Sequence, residues 1–414
     1  MNNLQDAWIS AGQGHVFQHP RTQPETDKLF ENLGHINIDR VVSIFNKATK
    51  SGTAATTSLS PLPKASFDST LTSLDNARWA EIGFDLIRKN QVAVILLAGG
   101  QGTRLGSSAP KGCYDIGLPS NKSLFELQGD RIRKMQIMAG NAIIPWYVMT
   151  SGPTRQATES FFKVKNYFGL DPANIFFFEQ GVLPAFTPDG KIFMESIDTP
   201  AVAPDGNGGI YAALRSEGVI ADLERRKIPF VHAYCVDNCL VKVADPVFIG
   251  YCVEKNADCG AKCVGKLAPD EPAGVICLRN DKFEVLEYSE IDPAISQLKG
   301  TDGKLIYNAA NIANHFYTTE FLKKINSFEG ELQYHIARKK ITHLNSEGIV
   351  VKPDVANGIK LELFIFDVFP FTERMAVLEV AREDEFSPLK NAPGCKDGAS
   401  PDTSRNDIFA QHVR

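Results

Sequence analysis

Long apolar runs are missing from the 414-residue sequence. The longest, Val92 to Ala98, falls far short of the ~20 residues that carry a helix across a bilayer. The opening MNNLQDAWISAGQ has neither a basic start nor a hydrophobic secretory stretch, so the expectation is a cytoplasmic protein with no membrane partner. An excess of positive charge is missing too. Lys plus Arg number 44 against 49 Asp plus Glu, a net charge of −5, which argues against a basic nucleic-acid binder. Cysteine is sparse for the length. Eight thiols, six of them between Cys235 and Cys277, do not make the disulfide framework of a small secreted domain. The C-x3-C pairs Cys235/Cys239 and Cys259/Cys263 depart from the C-x2-C zinc knuckle and read as buried structural thiols. The glycosylation sequon Asn121-Lys122-Ser123 goes unused in a cytoplasmic chain.

Two nucleotide signatures are also absent. No Gly-Lys-Ser/Thr triplet occurs, which excludes a P-loop. A dinucleotide fingerprint counted from Gly100 meets Leu105 where its third glycine belongs, and no strand-ending acid follows at the ribose distance.

What is present suits a large α/β protein. The length allows two or three domains, and the charged and apolar fractions, 22% and 43%, are ordinary for a globular chain. Residues 1–90 read as a helical region, with apolar positions at Phe30, Leu33, Val41, Ile44 and Phe45, then Trp79, Ile82, Leu86 and Ile87. Between them, Lys50 to Ser66 reads as a Ser/Thr/Pro loop. From Gln91 short apolar strands alternate with helix-length segments: VAVILLAGG, IIPWYVMTSG, NIFFFEQG, PFVHAYCVDN and GVICLR. That alternation predicts an α/β fold with a mixed, mainly parallel sheet flanked by helices over residues 91–385. After Glu385 the chain turns to loop chemistry, NAPGCKDGASPDTSRND, in a C-terminal segment 386–414.

The strand from Val92 runs into Gly99-Gly100-Gln101-Gly102-Thr103-Arg104-Leu105-Gly106 and then Pro110-Lys111-Gly112. Glycines let the backbone approach a polyphosphate and turn its N–H groups towards the anion. Arg104 and Lys111, seven positions apart, suit a triphosphate whose departing pyrophosphate must be neutralised. The same residues also fit a glycine-rich surface turn with solvated charges. Asp237, just after the strand FVHAYCV, puts a carboxylate where open α/β sheets bind ligands. It is a candidate ligand for the Mg2+, or Mn2+, that bridges nucleotide phosphates, and equally a turn-forming Asp.

The stretch LLAGGQGTRLGSSAPKG resembles the signature of sugar-nucleotide pyrophosphorylases. With YDIGLPSNKSLFELQGDRI, MTSG, FFFEQGVLPA, APDGNGG, YCVDN, EYSE, NIANHF and EFSPLKNA in order over about residues 91 to 395, the chain resembles the eukaryotic-type UDP-N-acetylglucosamine (UDP-N-acetylhexosamine) pyrophosphorylases. The resemblance implies a Rossmann-like sheet of the nucleotide-diphospho-sugar transferase type. It further implies UTP and N-acetylglucosamine 1-phosphate as substrates, UDP-N-acetylglucosamine and pyrophosphate as products, and a monomer or homodimer. By resemblance, Gln180 and Gly206 contact uracil, Ala98 and Gly99 face the uridine, and Gly100 and Asn207 lie in the two glycine turns that line the nucleotide. Glu287 and Asn311 are implied for the sugar hydroxyls, Gly274 for the N-acetyl side, Phe364 or Phe366 for the sugar wall and Lys390 for a phosphate. Read without that resemblance, APDGNGG is a helix-entry loop, Glu287 a surface acid, Asn311 a turn residue, Phe364 and Phe366 core strand positions and Lys390 a solvated lysine. His315 reads as structural, because a sugar phosphate needs no general base.

The implied chemistry is Mg-assisted in-line attack of the sugar phosphate on the α-phosphorus of UTP, without a covalent intermediate. The alternatives keep the chemistry with N-acetylgalactosamine or glucose 1-phosphate, or make the chain a non-catalytic UDP-sugar-binding paralogue. Three departures from the family pattern stand out. A β-rich C-terminal domain is expected after SPLKN, whereas 24 residues follow Lys390, so the segment is expected to be truncated. RKMQIMAGNAIIPW is short between helix and strand, and Ala310 stands where Gly is expected.

Overall fold

The computed structural model describes residues 2–50, 58–288, 290–301, 303–396 and 398–413. The chain divides into two compact units, the first made of Met1–Thr56, Gly181–Gly209 and Glu331–Ile365, the second of the remaining three segments. These cuts differ from the boundaries at 90 and 385. A change of sequence texture marks where strands begin, not which segments pack together.

In the first unit, helices Gln23–Gly34 and Ile38–Lys50 present Leu29, Leu33, Val41 and Phe45 to a core shared with Trp8, Phe186, Ile192, Ile359 and Leu361. The helical spacing in the sequence is the cause, since these positions share one face. Short antiparallel pairs, Val182–Pro184 with Val202–Pro204 and His335–Lys339 with Gly358–Glu362, supply the other side. The Gln13 amide joins the segments, donating to Gly190 O at 2.9 Å and accepting from the Ile192 N–H at 2.9 Å.

The second unit is built on one sheet. Its strands are β1 (Phe67–Ser69), β2 (Val92–Leu97), β3 (Trp146–Thr150), β4 (Ile175–Glu179), β5 (Phe230–Cys235), β6 (Cys259–Gly265), β7 (Val275–Arg279), β8 (Lys282–Leu286), β9 (Ala309–Thr318) and β10 (Met375–Glu379). The order across the sheet is β1-β10-β6-β9-β5-β2-β3-β4, with the β7–β8 hairpin joined to β9. β5, β2, β3 and β4 are parallel, whereas β9 runs antiparallel to both its neighbours. The sheet is therefore mixed, as expected. β2 and β3 are buried at every position, as strands covered on both faces must be. Helix α1 (Asn76–Arg88) packs beside α4 (Pro246–Glu254), while α2 (Leu124–Met138) and α3 (Gly152–Val164) follow β2 and β3.

Two sequence readings need correction. Of the loop expected over Lys50 to Ser66, positions 51–57 lie outside the described residues, but Leu59–Ser60 forms an edge strand on β7. The loop chemistry of PDTSRND conceals helix α5 (Pro401–Val413). Ser400 and Thr403 exchange backbone and side-chain hydrogen bonds at its start, and Pro opens a helix because its missing N–H would be unpaired there anyway. No helix of the described residues is long and apolar enough to cross a membrane.

The α1–α4 crossing depends on two glycines. A methyl group at Gly250 would lie 1.8 Å from the Trp79 carbonyl oxygen, and one at Gly83 2.0 Å from that of Pro246. Gly250→Ala is expected to lower the unfolding free energy by about 2–3 kcal/mol through overpacking. Gly34→Ala, with open space at that position, should stay within about 1 kcal/mol of wild type. Urea unfolding of both variants measures the difference.

Candidate active site

The parallel strands β5, β2, β3 and β4 end along one edge of the sheet, and the chain leaves each end through a segment bearing polar groups. This is where an open α/β sheet takes its ligand. At the end of β2, the Ala98 N–H donates to Met149 O at 2.9 Å and holds the strand to its neighbour. Gly99 lies against the side chain of Gln180, which follows β4. A methyl group on Gly99 would stand 2.5 Å from Gln180 Oε1, so only glycine leaves that amide in place. Ser151, the N-cap of α3, donates from Oγ to Gly99 O at 2.7 Å.

Beyond Gly99 the loop closes on itself. Gln101 bridges Pro110, the Gly102 N–H donates to Ala109 O at 3.0 Å, and the Lys111 N–H donates to Gly100 O at 3.0 Å. Gly106 takes the left-handed backbone that tightens the turn, φ 76°. Gly112 presses on the Phe125 ring, where a side-chain carbon would sit 2.1 Å from Cζ. Arg104 and Gly100 are exposed on this anchored loop.

Lys111 reaches across to the end of β5. Its Nζ donates to Leu389 O at 2.9 Å and stands 3.7 Å from Asp237 Oδ2, with the two side chains 18% and 27% exposed. The Leu389 N–H donates in turn to Asp237 O at 2.8 Å. Asn238 fixes the same crossing: its Oδ1 accepts from the Ser387 and Leu240 N–H groups and its Nδ2 donates to Glu385 O at 2.7 Å. Lys390 follows directly, exposed, with its own N–H on Ala399 O. Cys235 reports the local field. Burial pushes its thiol up, Asp237 adds to that, and Lys390 and Lys111 oppose it. Asp237, Lys111 and Lys390 therefore gather around one strand end, although they are far apart in sequence.

Behind this crossing lies a buried ion cluster. Lys262, fully buried in β6, pairs with Asp245 and Glu385, and Lys242 adds a second contact to Glu385 at 3.1 Å. Burial alone would lower the Lys262 ammonium and raise the Asp245 carboxyl. Their mutual attraction, with Glu385 acting on Lys262, reverses both, so Lys262 is raised and Asp245 lies below its ordinary range.

A second group of expected residues meets around β7, β8 and β9. The Asn311 N–H donates to Gly274 O at 2.9 Å, and a methyl group on Gly274 would lie 2.9 Å from Glu287 Oε1. Gly274, Glu287 and Asn311 are thus neighbours. The remaining expected residues divide between the units. Gly206, Asn207 and Phe364 belong to the first, Phe366 to the second. The strand reading of Phe364 and Phe366 is corrected, because the strand ends at Glu362. The next backbone groups are taken by the glycine turn: the Leu363 N–H by Asp205 O at 2.7 Å, Leu363 O by the Gly208 N–H at 2.7 Å, and the Ile365 N–H by Asn207 Oδ1 at 2.9 Å. Gly206 has φ 89°, and any side chain there would meet Leu363 O at 2.3 Å.

Ser151 and Lys262 escaped the sequence reading. For Lys262 a signal was available, a lone charge inside the apolar strand CGAKCVG, which must find buried partners. Ser151 lies in the segment MTSG, where Ser before Gly-Pro reads as a helix cap and conceals the bond to Gly99.

A glycine loop, two lysines and a carboxylate at the carboxyl edge of a parallel sheet define a nucleotide-binding α/β protein. The chain belongs to the UDPGP family, described as UTP–glucose-1-phosphate uridylyltransferase, whose model matches residues 39–395. It is 54% identical over 344 residues to the human UDP-N-acetylhexosamine pyrophosphorylase-like protein 1, covering 81% of this chain and 68% of that one. It is 44% identical over 429 residues to the UDP-N-acetylglucosamine pyrophosphorylase of Saccharomyces cerevisiae, covering 98% and 89%. The crystal structure of the uridine diphosphate N-acetylglucosamine pyrophosphorylase of Trypanosoma brucei in complex with inhibitor superposes with a TM-score of 0.87 at 31% identity, covering 100% of this chain and 85% of that one.

Lys262→Met should cost about 3–5 kcal/mol at neutral pH, because it leaves buried Asp245 without its partner at Lys262 and Glu385 with Lys242 alone. The depressed Asp245 pKa contributes stability above the unfolded value of ~3.9 that is lost as pH falls through the lower folded value. The deficit of the variant should therefore narrow below about pH 4, as read from denaturant midpoints across pH.

Proposed function

We propose that the chain is a uridylyltransferase that converts UTP and N-acetylglucosamine 1-phosphate reversibly into UDP-N-acetylglucosamine and pyrophosphate. The observation that carries this reading is the convergence of Lys111, Asp237 and the Ser387–Lys390 segment on the edge where the glycine loop ends. An anionic oxygen of the sugar phosphate attacks the α-phosphorus in line. The new P–O bond forms as the bond to the bridging oxygen of the β-phosphate breaks, and pyrophosphate leaves with that electron pair. No proton has to be removed, so the protein supplies orientation and charge. Arg104 and Lys111 neutralise the departing pyrophosphate, and Lys390 steadies the reacting phosphates. Gln180 and Gly99 receive the uracil end, while Glu287, Asn311 and Gly274 receive the sugar.

The residues present fit Mg2+ that arrives with the nucleotide. Among the described residues no group of three His, Cys, Asp or Glu side chains forms a metal cage. Asp237 offers one partly exposed oxygen donor, which suits a hard cation whose other ligands are phosphate oxygens and water. When bound, such a cation screens the phosphate charges and polarises the α-phosphate. All eight cysteines are unpaired, which supports a reducing compartment, the cytoplasm. A second reading keeps the reaction and changes the sugar to another N-acetylhexosamine, and it is favoured by the name of the human relative.

Pyrophosphate release from UTP with Mg2+ and N-acetylglucosamine, N-acetylgalactosamine or glucose 1-phosphate tests the proposal. Release is expected with at least the first. Binding of UDP-N-acetylglucosamine without any release would identify a binding protein instead. Lys111→Ala and Arg104→Ala should each lower kcat by at least about 100-fold, the scale of losing one transition-state charge contact. UDP-sugar affinity, read by calorimetry, should change far less, and equal losses in both would overturn the assignment. Gly99→Ala should weaken UTP binding by about tenfold, the scale of one displaced hydrogen bond.

A further inference from the structure

β9 does not pair evenly with β6. Ala261 faces His315 and Cys263 faces Asn311, so the register shifts between them and β9 carries two extra residues. The excess bulges at Ala313, whose φ of 51° is left-handed, and bulges of this kind re-aim side chains. In an even strand, residues four apart stand about 13 Å from one another. Here His315 Nε2 is 3.2 Å from Asn311 Oδ1.

The proton positions along this contact follow from chemistry. The Ala313 N–H donates to the same amide atom at 3.1 Å. A backbone N–H can only donate, so that atom is the oxygen, and the imidazole nitrogen facing it must carry the proton. The other ring nitrogen, Nδ1, is then an acceptor, and Tyr317 Oη, 3.3 Å away, donates to it. Tyr211 Oη lies 2.9 Å from Tyr317 Oη and donates in turn. Burial pushes His315 down to about 3, with His232 adding to the effect, which keeps one proton on the ring. The Phe369 ring lies edge-on, 5.2 Å from the imidazole.

We propose that the bulge and the Tyr211–Tyr317–His315 chain are a positioning device that occupies both lone pairs of the Asn311 amide oxygen and presents Asn311 to the sugar only as a donor. This rests on the reading above, in which Asn311 and Glu287 receive the sugar of an N-acetylhexosamine 1-phosphate. A glutamate carboxylate such as Glu287 can only accept. A donor of fixed direction beside an acceptor orients a sugar hydroxyl, which can do both, so ring configuration is read by polarity as well as by shape. His315, Tyr317 and Tyr211 act through Asn311 and are positioning residues.

Steady-state kinetics of His315→Leu, His315→Gln and Tyr317→Phe test this. His315→Leu and Tyr317→Phe should raise KM for the sugar phosphate about tenfold while KM for UTP stays within about twofold. His315→Gln, whose side-chain amide can still donate to Asn311, should recover most of the loss. A parallel rise in both KM values, or a Gln variant as impaired as the Leu variant, would overturn the proposal. A wild-type protein that releases no pyrophosphate would overturn the functional reading instead. Nitrogen NMR of histidine-labelled wild type then decides the positioning device by itself, and covers variants that do not fold. A neutral Nε2–H tautomer for His315 from pH 5 to 9 is expected, and an Nδ1–H tautomer or a charged ring refutes it.

Discussion

The second unit turns on one charge that has no access to water. Lys262 sits in the middle of β6 with its ammonium between Asp245 and Glu385. Asp245 caps α4 by accepting from the Val247 N–H, so the cluster fixes where that helix begins. Glu385 precedes the Ser387–Leu389 segment by two residues, so the same ammonium fixes where that segment enters the crossing at Asp237. A buried carboxylate without a cation is strongly unfavourable, and Lys262 answers both Asp245 and Glu385, the latter shared with Lys242. The arrangement links a helix start, a central strand and the crossing at Asp237 through one side chain.

From that anchor the site is assembled by backbone more than by side chains. Leu389 O receives Lys111, Asp237 O receives the Leu389 N–H, and Gly99 O receives Ser151. These carbonyls lie just past strand ends and in the segment bonded to them, so the Lys111 ammonium, the Leu389 N–H and the Ser151 hydroxyl are directed by backbone acceptors. Preorganisation of this kind is what a reaction without a protein nucleophile requires.

Sequence legibility followed the range of the interactions. β2, β3, β4, β5 and β7 were readable because an apolar run bounded by turn residues is a local pattern, and the glycine loop was readable because phosphate chemistry restricts it to few residue types. Asp237 is marked as a candidate by its place after a strand. Lys390, Glu287 and Asn311 could not be separated from ordinary surface residues without the family resemblance, because their neighbours lie elsewhere in the chain. Phe364 misled for the opposite reason: alternation suggested a strand, but the glycine turn at 206–208 had taken the backbone groups that a strand would use. α5 was hidden because Ser-Pro-Asp-Thr spells both a turn and a helix start.

The interleaving of the two units has a consequence for biosynthesis. The core of the first unit needs Trp8, Leu29 and Phe45 from the amino-terminal segment together with Ile359 and Leu361. At about 5–20 residues per second, roughly 15–60 s separate the emergence of those two sets from the ribosome. During that interval the apolar face of the amino-terminal helices can be covered only in part, by Leu183, Phe186 and Ile192, until Ile359 and Leu361 are made. A nascent-chain chaperone has a defined window and a defined surface to protect.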